Sequence, residues 1–158
     1  MPAIPRRSAA NPLLLALLAV LLAILGLPAP GTTDVPIFLR WAAAAAVSLR
    51  GSYAAFYQFG YPPLHFVLLR GAALMASALG TDLFTGYKTS LLLGLLLTGG
   101  LFWLWTRDST LSLALFLALL PSSMLYGYTD IYFAPLVVGA LWALNKGKLA
   151  LLDRKSVV

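Results

Sequence analysis

Cysteine is missing from the 158 residues, which excludes disulfides and thiolate metal sites. Glutamate is missing too, so any carboxylate chemistry rests on Asp34, Asp82, Asp108, Asp130 and Asp153. A single histidine, His65, cannot build a multi-histidine metal site. Charge of either sign is scarce: 10% of residues, against ~25% in a soluble domain. With 61% hydrophobic residues, such a chain cannot cover its own surface with polar groups, and lipid is its expected solvent. Inside lipid the backbone must bond to itself, which leaves helices or closed barrels. The Leu/Ala-rich runs are continuous rather than alternating, and that selects helices. The net charge of +6 comes from basic residues scattered in ones and twos between apolar runs. Membrane topology and phospholipid contact explain that scatter, and no nucleic-acid partner is expected.

Along the chain, residues 1–11 form a short basic lead with Arg6 and Arg7. Residues 12–29 are uncharged and close with Pro28, near the ~20 residues a bilayer requires. A cleaved signal peptide is the competing reading, but more apolar spans follow and no clean small-x-small site ends the run. Thr33-Asp34-Val35-Pro36 reads as a helix start, with Asp as cap and Pro in the first turn. The helix it opens, to about Leu49, is short and charged at its ends, and suits the membrane interface. Residues 61–80 have the length of a span, yet Arg70 falls at their middle, where insertion costs roughly 2.5–3.5 kcal/mol. Residues 88–106, 111–127 and 131–145 read as clear spans.

Charge parity separates the topologies. If 61–80 crosses the bilayer and Arg6 and Arg7 lie inside, then Arg107, Lys146 and Lys148 fall outside, against the positive-inside rule. If 61–80 is re-entrant or interfacial, all five are cytoplasmic and the long segment 31–87 is external. Aromatic girdles agree: Trp103, Trp105 and Trp142 group at one boundary, Tyr87, Tyr126, Tyr128 and Tyr132 at the other. The expected fold is therefore an all-α integral membrane bundle of about four transmembrane helices, with interfacial helices in a long first external loop. Asp34, His65, Arg70, Asp82, Lys88 and Asp130 then share one face.

Among these, Asp34 and Asp130 each read either as a helix cap or as an acid facing an external site. There Asp34 would act as a general base on an acceptor hydroxyl. Tyr61-Pro62-Pro63 is a rigid bend, and His65 follows it as a structural or functional imidazole. Arg70 and Lys88 are cations at or near membrane depth; they either snorkel to head groups or neutralise a lipid-linked phosphate. Asp82 is expected to cap a short helix, and Asp108 the helix over 111–127. Gly94, Thr98, Gly99 and Gly100 would let helices pack closely.

The order of these motifs carries a resemblance. Thr33-Asp34-Val-Pro-Ile-Phe-Leu-Arg-Trp41, then Phe59-Gly-Tyr-Pro-Pro-Leu64, then Gly127-Tyr-Thr-Asp130-Ile-Tyr-Phe133 opening a span that ends in Lys-Gly-Lys resembles the N-terminal part of a GT-C membrane glycosyltransferase. Polyprenyl-phosphate-mannose-dependent mannosyltransferases are the nearest kind, and the resemblance covers about residues 12–150. It implies transfer of mannose or another hexose from a polyprenyl-phosphate carrier at the extracytoplasmic face of a bacterial or archaeal plasma membrane. Asp34 would be the base and Asp130 would line the same pocket. The Tyr61 region would stand close to the lipid donor, with Arg70, Lys88 and His65 as candidate donor-phosphate or lipid contacts. Relatives often carry a second acid close to the first, which is missing here, so a divalent metal is left open. They also have further spans. The last residues, 153–158, read as a non-native tail on residues 1–152, and the piece is expected to be inactive alone. A transporter-like half and a structural subunit without catalysis are the alternatives; in the latter, both aspartates are only caps.

Overall fold

The computed structural model describes residues 12–145; the basic lead, Lys146, Lys148 and the 153–158 tail lie outside them. Every described element is helical, as expected from the apolar runs. The chain forms α1 (Pro12–Leu25), α2 (Val35–Val47), α3 (Leu49–Phe56), α4 (Pro63–Leu79), α5 (Leu83–Thr106), α6 (Ser109–Leu120) and α7 (Ala134–Asn145). Single turns of tighter or wider helix cover Tyr57–Phe59, Pro121–Leu125 and Thr129–Tyr132.

Helix α5 is the axis. Its 24 residues rise ~36 Å, enough for the ~30 Å hydrocarbon core of a bilayer. Among the described residues it is the one helix long and apolar enough to cross a membrane. Leu93, Leu96, Leu97 and Leu104 on it are exposed, the reverse of a soluble core helix, whose polar face turns outward. Helices α1, α6 and α7 likewise turn leucines outward, among them Leu21, Leu117 and Leu141.

Boundaries differ from the sequence expectation where local chemistry intervenes. Asp82 caps the long α5 rather than a short helix, its carboxylate accepting from the Thr85 N–H (3.0 Å) and the Thr85 hydroxyl. The helix therefore starts five residues before position 88 and carries Lys88 inside it. Asp108 caps α6 as expected, accepting from Thr110 and Leu111 N–H groups. Pro121 has no N–H for the α-helical ladder. The turn there widens, Tyr126 N–H reaching back to the Pro121 carbonyl and Ser122 and Ser123 hydroxyls donating to Leu119. Pro135 in its first turn helps set the start of α7 at Ala134, so the expected 131–145 run opens with a separate tight turn. Of the tyrosine girdle only Tyr126 and Tyr128 are exposed. Tyr87 and Tyr132 are buried, donating to the Gly127 carbonyl and paired with the Ser90 hydroxyl.

Two ends of the bundle can be told apart. Gly26 lies against Met124, and Lys88 donates to the Met124 carbonyl. The close of α1, the start of α5 and the end of α6 are thus together. The Trp103–Ser109 turn lies at the other end, where α7 arrives with Leu141 beside Trp105. Helix α4 begins next to Tyr61 and ends at Gly80, three residues before α5 opens. Gly86 sits so close to Ala76 that a Cβ there would strike its backbone. His65, near the other end of α4, stacks on Phe133 at 6.4 Å. Both ends of α4 accordingly lie at the Lys88–Met124 end.

Candidate functional site

The site is built by a backbone clasp. Thr32 N–H donates to the Tyr126 carbonyl at 2.9 Å, tying the loop before α2 to the turn after α6. Gly31 (φ +81°) and Gly127 (φ +73°) both take left-handed backbone here, and a Cβ on either would run into the Val35 side chain. Only glycine allows both the conformation and the approach. The clasp brings Asp34, one residue before Val35, to the segment that carries Asp130.

Neither carboxylate is spent on capping. Asp34 holds the N-cap position of α2 without a side-chain cap bond. Among the described residues no hydrogen bond or ion pair engages the carboxylate of Asp34 or Asp130, and both residues are exposed. Both act on the same group: the Tyr61 phenol is pushed above its ordinary value first by partial burial, then by the charges of Asp34 and Asp130. Nearby anions disfavour a phenolate, so both carboxylates lie close enough to act on one hydroxyl.

Beneath Tyr61 lies an aromatic floor. The Tyr61 ring sits 4.5 Å from the His65 ring and 5.1 Å from Trp41. Phe38 touches Tyr61 at 6.0 Å, His65 at 5.7 Å and Tyr87 at 6.4 Å. Helices α2, α4 and α5 each supply a ring, so their packing fixes where Tyr61 stands. His65 is fully buried, and neither ring nitrogen has a partner. Burial holds its imidazole down to about 4, leaving it neutral near pH 7. Thr32 Oγ1, in the clasp, is also buried without a partner.

The two candidate cations separate. Lys88 is fully buried, donates to the Met124 carbonyl and lies 5.7 Å from the Phe84 ring centroid. It also lines a cavity of about 390 Å³ with Leu27, Pro28 and Thr85. Arg70 is half-buried on α4, and no hydrogen bond or ion pair ties it to the other candidates. From Asp130 a second cavity of about 430 Å³ runs between α5, α6 and α7 towards Phe102 and Leu141. Its walls are mostly apolar.

A divalent ion takes six or more oxygens, or a tight set of three or four side chains. Among the described residues no group of three histidines and carboxylates gathers to hold one, and Asp34 and Asp130 alone do not fit the requirement.

Sequence reasoning reached Asp34, Asp130, Tyr61 and His65. It missed Gly31 and Gly127 as the clasp, and Phe38 and Tyr87 as the floor. Gly127 stood inside a quoted motif; its left-handed role has no signature without a partner segment to meet. Comparison with protein-family models, with characterised proteins and with solved structures gives no match.

Proposed function

We propose that this chain is the N-terminal part of an integral membrane enzyme that transfers a sugar from a polyprenyl-phosphate carrier to an acceptor hydroxyl at the Asp34–Asp130 end. The observation that carries the reading is the Thr32–Tyr126 clasp, which brings Asp34, free of any cap bond, to the segment that carries Asp130, with both charges acting on the Tyr61 phenol. A structural subunit would use Asp34 and Asp130 as caps, and neither side chain caps anything. The placement of both ends of α4 at that same end supports a count of four crossings, with α1, α5, α6 and α7 as the spans and α2 to α4 at the interface. The outward leucines support lipid as the solvent.

In this reading Asp34 accepts the proton of the acceptor hydroxyl. The hydroxyl oxygen bonds to the anomeric carbon, the bond from that carbon to the phosphate oxygen breaks, and the polyprenyl phosphate leaves with the electron pair. Asp130 and Tyr61 orient the hydroxyl. Lys88, which lines the cavity beside Pro28 and Thr85, supplies positive charge towards the departing phosphate. The apolar cavity running from Asp130 takes part of the isoprenoid chain.

The test is transfer from polyprenyl-phosphate-mannose, in liposomes, by a full-length protein that contains this chain, with donor binding measured alongside. Asp34→Asn is expected to lower transfer by about 10²–10⁴-fold while donor binding persists. Undiminished transfer by the variant overturns the assignment of the base. Failure of the unaltered full-length protein both to bind the donor and to transfer sugar overturns the function.

A further inference from the structure

At the end of the bundle opposite Asp34, helices α1, α5 and α6 stand apart around a cavity of about 280 Å³. Ala19 and Val20 form one wall, Leu96, Gly100 and Trp103 a second, and Phe116 the third. The close packing expected of the small residues on α5 is met at two positions. Gly94 lies against Ile131, and Gly99 would bring a Cβ to 3.3 Å from the Phe116 ring. It fails at Gly100, which has nothing within 4 Å of where a Cβ would stand. Two serines also line it: the Ser112 hydroxyl donates to the Asp108 carbonyl, and Ser109 is exposed at the start of α6. The cavity is otherwise apolar through most of its depth. From Trp103 to Leu96 it extends ~10 Å along the helix, within the ~15 Å that one leaflet's hydrocarbon occupies.

A cation stands at its mouth. The Arg107 guanidinium lies 5.3 Å from the centroid of the Trp103 ring, and Trp103 lines the cavity. Arg107 takes left-handed backbone (φ 56°) to close α5, is exposed, and has no ion-pair partner among the described residues. The acid beside it, Asp108, has turned its carboxylate onto the Thr110 and Leu111 N–H groups. Among the described residues no carboxylate is left to engage the donor fork of Arg107.

We infer that this is a binding site for an anionic glycerophospholipid, one acyl chain in the α1–α5–α6 cavity and the phosphate diester on Arg107. Charge complementarity selects the head group: a guanidinium pairs with phosphate oxygens in a bidentate fork, and a choline or ethanolamine cation on the same phosphate would be repelled by it. The apolar walls select a tail over a free anion. The inference rests on embedding in a membrane and not on sugar transfer, so the lipid experiment and the transfer assay can fail separately.

The experiment is native mass spectrometry of the full chain released from detergent after exposure to equal amounts of phosphatidylglycerol and phosphatidylcholine with identical chains. Several-fold preferential retention of phosphatidylglycerol is expected. Arg107→Gln is expected to bring the two lipids to equal retention. Gly100→Leu, whose Cβ would have nothing within 4 Å as it enters the cavity, is expected to reduce retention of both. Should that variant lose helix content by circular dichroism, Val20→Phe fills the space from the opposite wall. Gly139→Leu, also in open space but on α7, is the matched control and leaves retention unchanged. The proposal is overturned by equal retention of the two lipids by the unaltered chain, by an unchanged ratio in Arg107→Gln, or by full retention in a folded cavity-filled variant. Displacement by glycerol phosphate as effective as by the intact lipid would also overturn it, because the tail would then contribute nothing.

Discussion

Replacing Gly127 with alanine tests the clasp on which the site depends. The position has φ +73°, and an L-residue in left-handed backbone costs ~1–2 kcal/mol. The added Cβ would stand 2.7 Å from Val35 Cγ2. Val35 is 2% exposed and β-branched in the first turn of α2, so its χ1 cannot rotate away cheaply. Overpacking of this kind costs ~1–3 kcal/mol. Gly127→Ala should therefore destabilise the protein by about 2–5 kcal/mol. Val35→Ala alone removes two buried methyl-sized groups, worth about 1.5 kcal/mol. In the double variant the clash is gone and only the backbone strain of position 127 remains. The two substitutions should then be less costly together than apart, with a coupling of ~1–3 kcal/mol. Reversible unfolding in mixed micelles, followed by the fluorescence of the buried Trp41, gives the four values. A cost below ~1 kcal/mol for Gly127→Ala, or additivity within ~0.5 kcal/mol, would refute the clasp as drawn.

Two further outcomes follow from the same geometry. Asp34→Asn and Asp130→Asn should each lower the Tyr61 ionisation midpoint, because each removes an anion that disfavours the phenolate; Tyr61 carbon-13 chemical shifts read it, and a midpoint unmoved by either change would separate that aspartate from the site. His65 should make stability fall on acidification. The unfolded chain takes its proton near the ordinary 6.5 and the folded chain only near about 4, so stability is lost progressively between those values. The loss is on the order of 3 kcal/mol, and His65→Phe should abolish that part of the slope. An equal acid slope in the variant would place the buried imidazole elsewhere.

Much of the site was legible in the sequence, for different reasons at different residues. Asp34 and Asp130 could be singled out because acids are so scarce in this chain that each one has to be accounted for. Asp108 could be assigned as a cap because its partners are its own next residues, a purely local geometry. The burial of Lys88 could not be read from the sequence: it depends on Met124, 36 residues away, whose carbonyl nothing nearby in the sequence announces. Gly100 was grouped with packing glycines because the pattern of small residues carries no record of which of them meets a neighbour.

The sequence by itself determined the all-helical class, the apolar character and the positions of the two capping aspartates. Those follow from hydropathy, from the backbone's need to bond to itself in lipid, and from contacts a few residues long. Tertiary structure alone decided that the charges of Asp34 and Asp130 act on the same phenol, that α4 returns to the end where it began, and that a cavity opens beside Trp103. Each depends on two segments meeting across the bundle, and side-chain shape at the meeting point, Val35 between two glycines or Ala76 against Gly86, is what sets the approach.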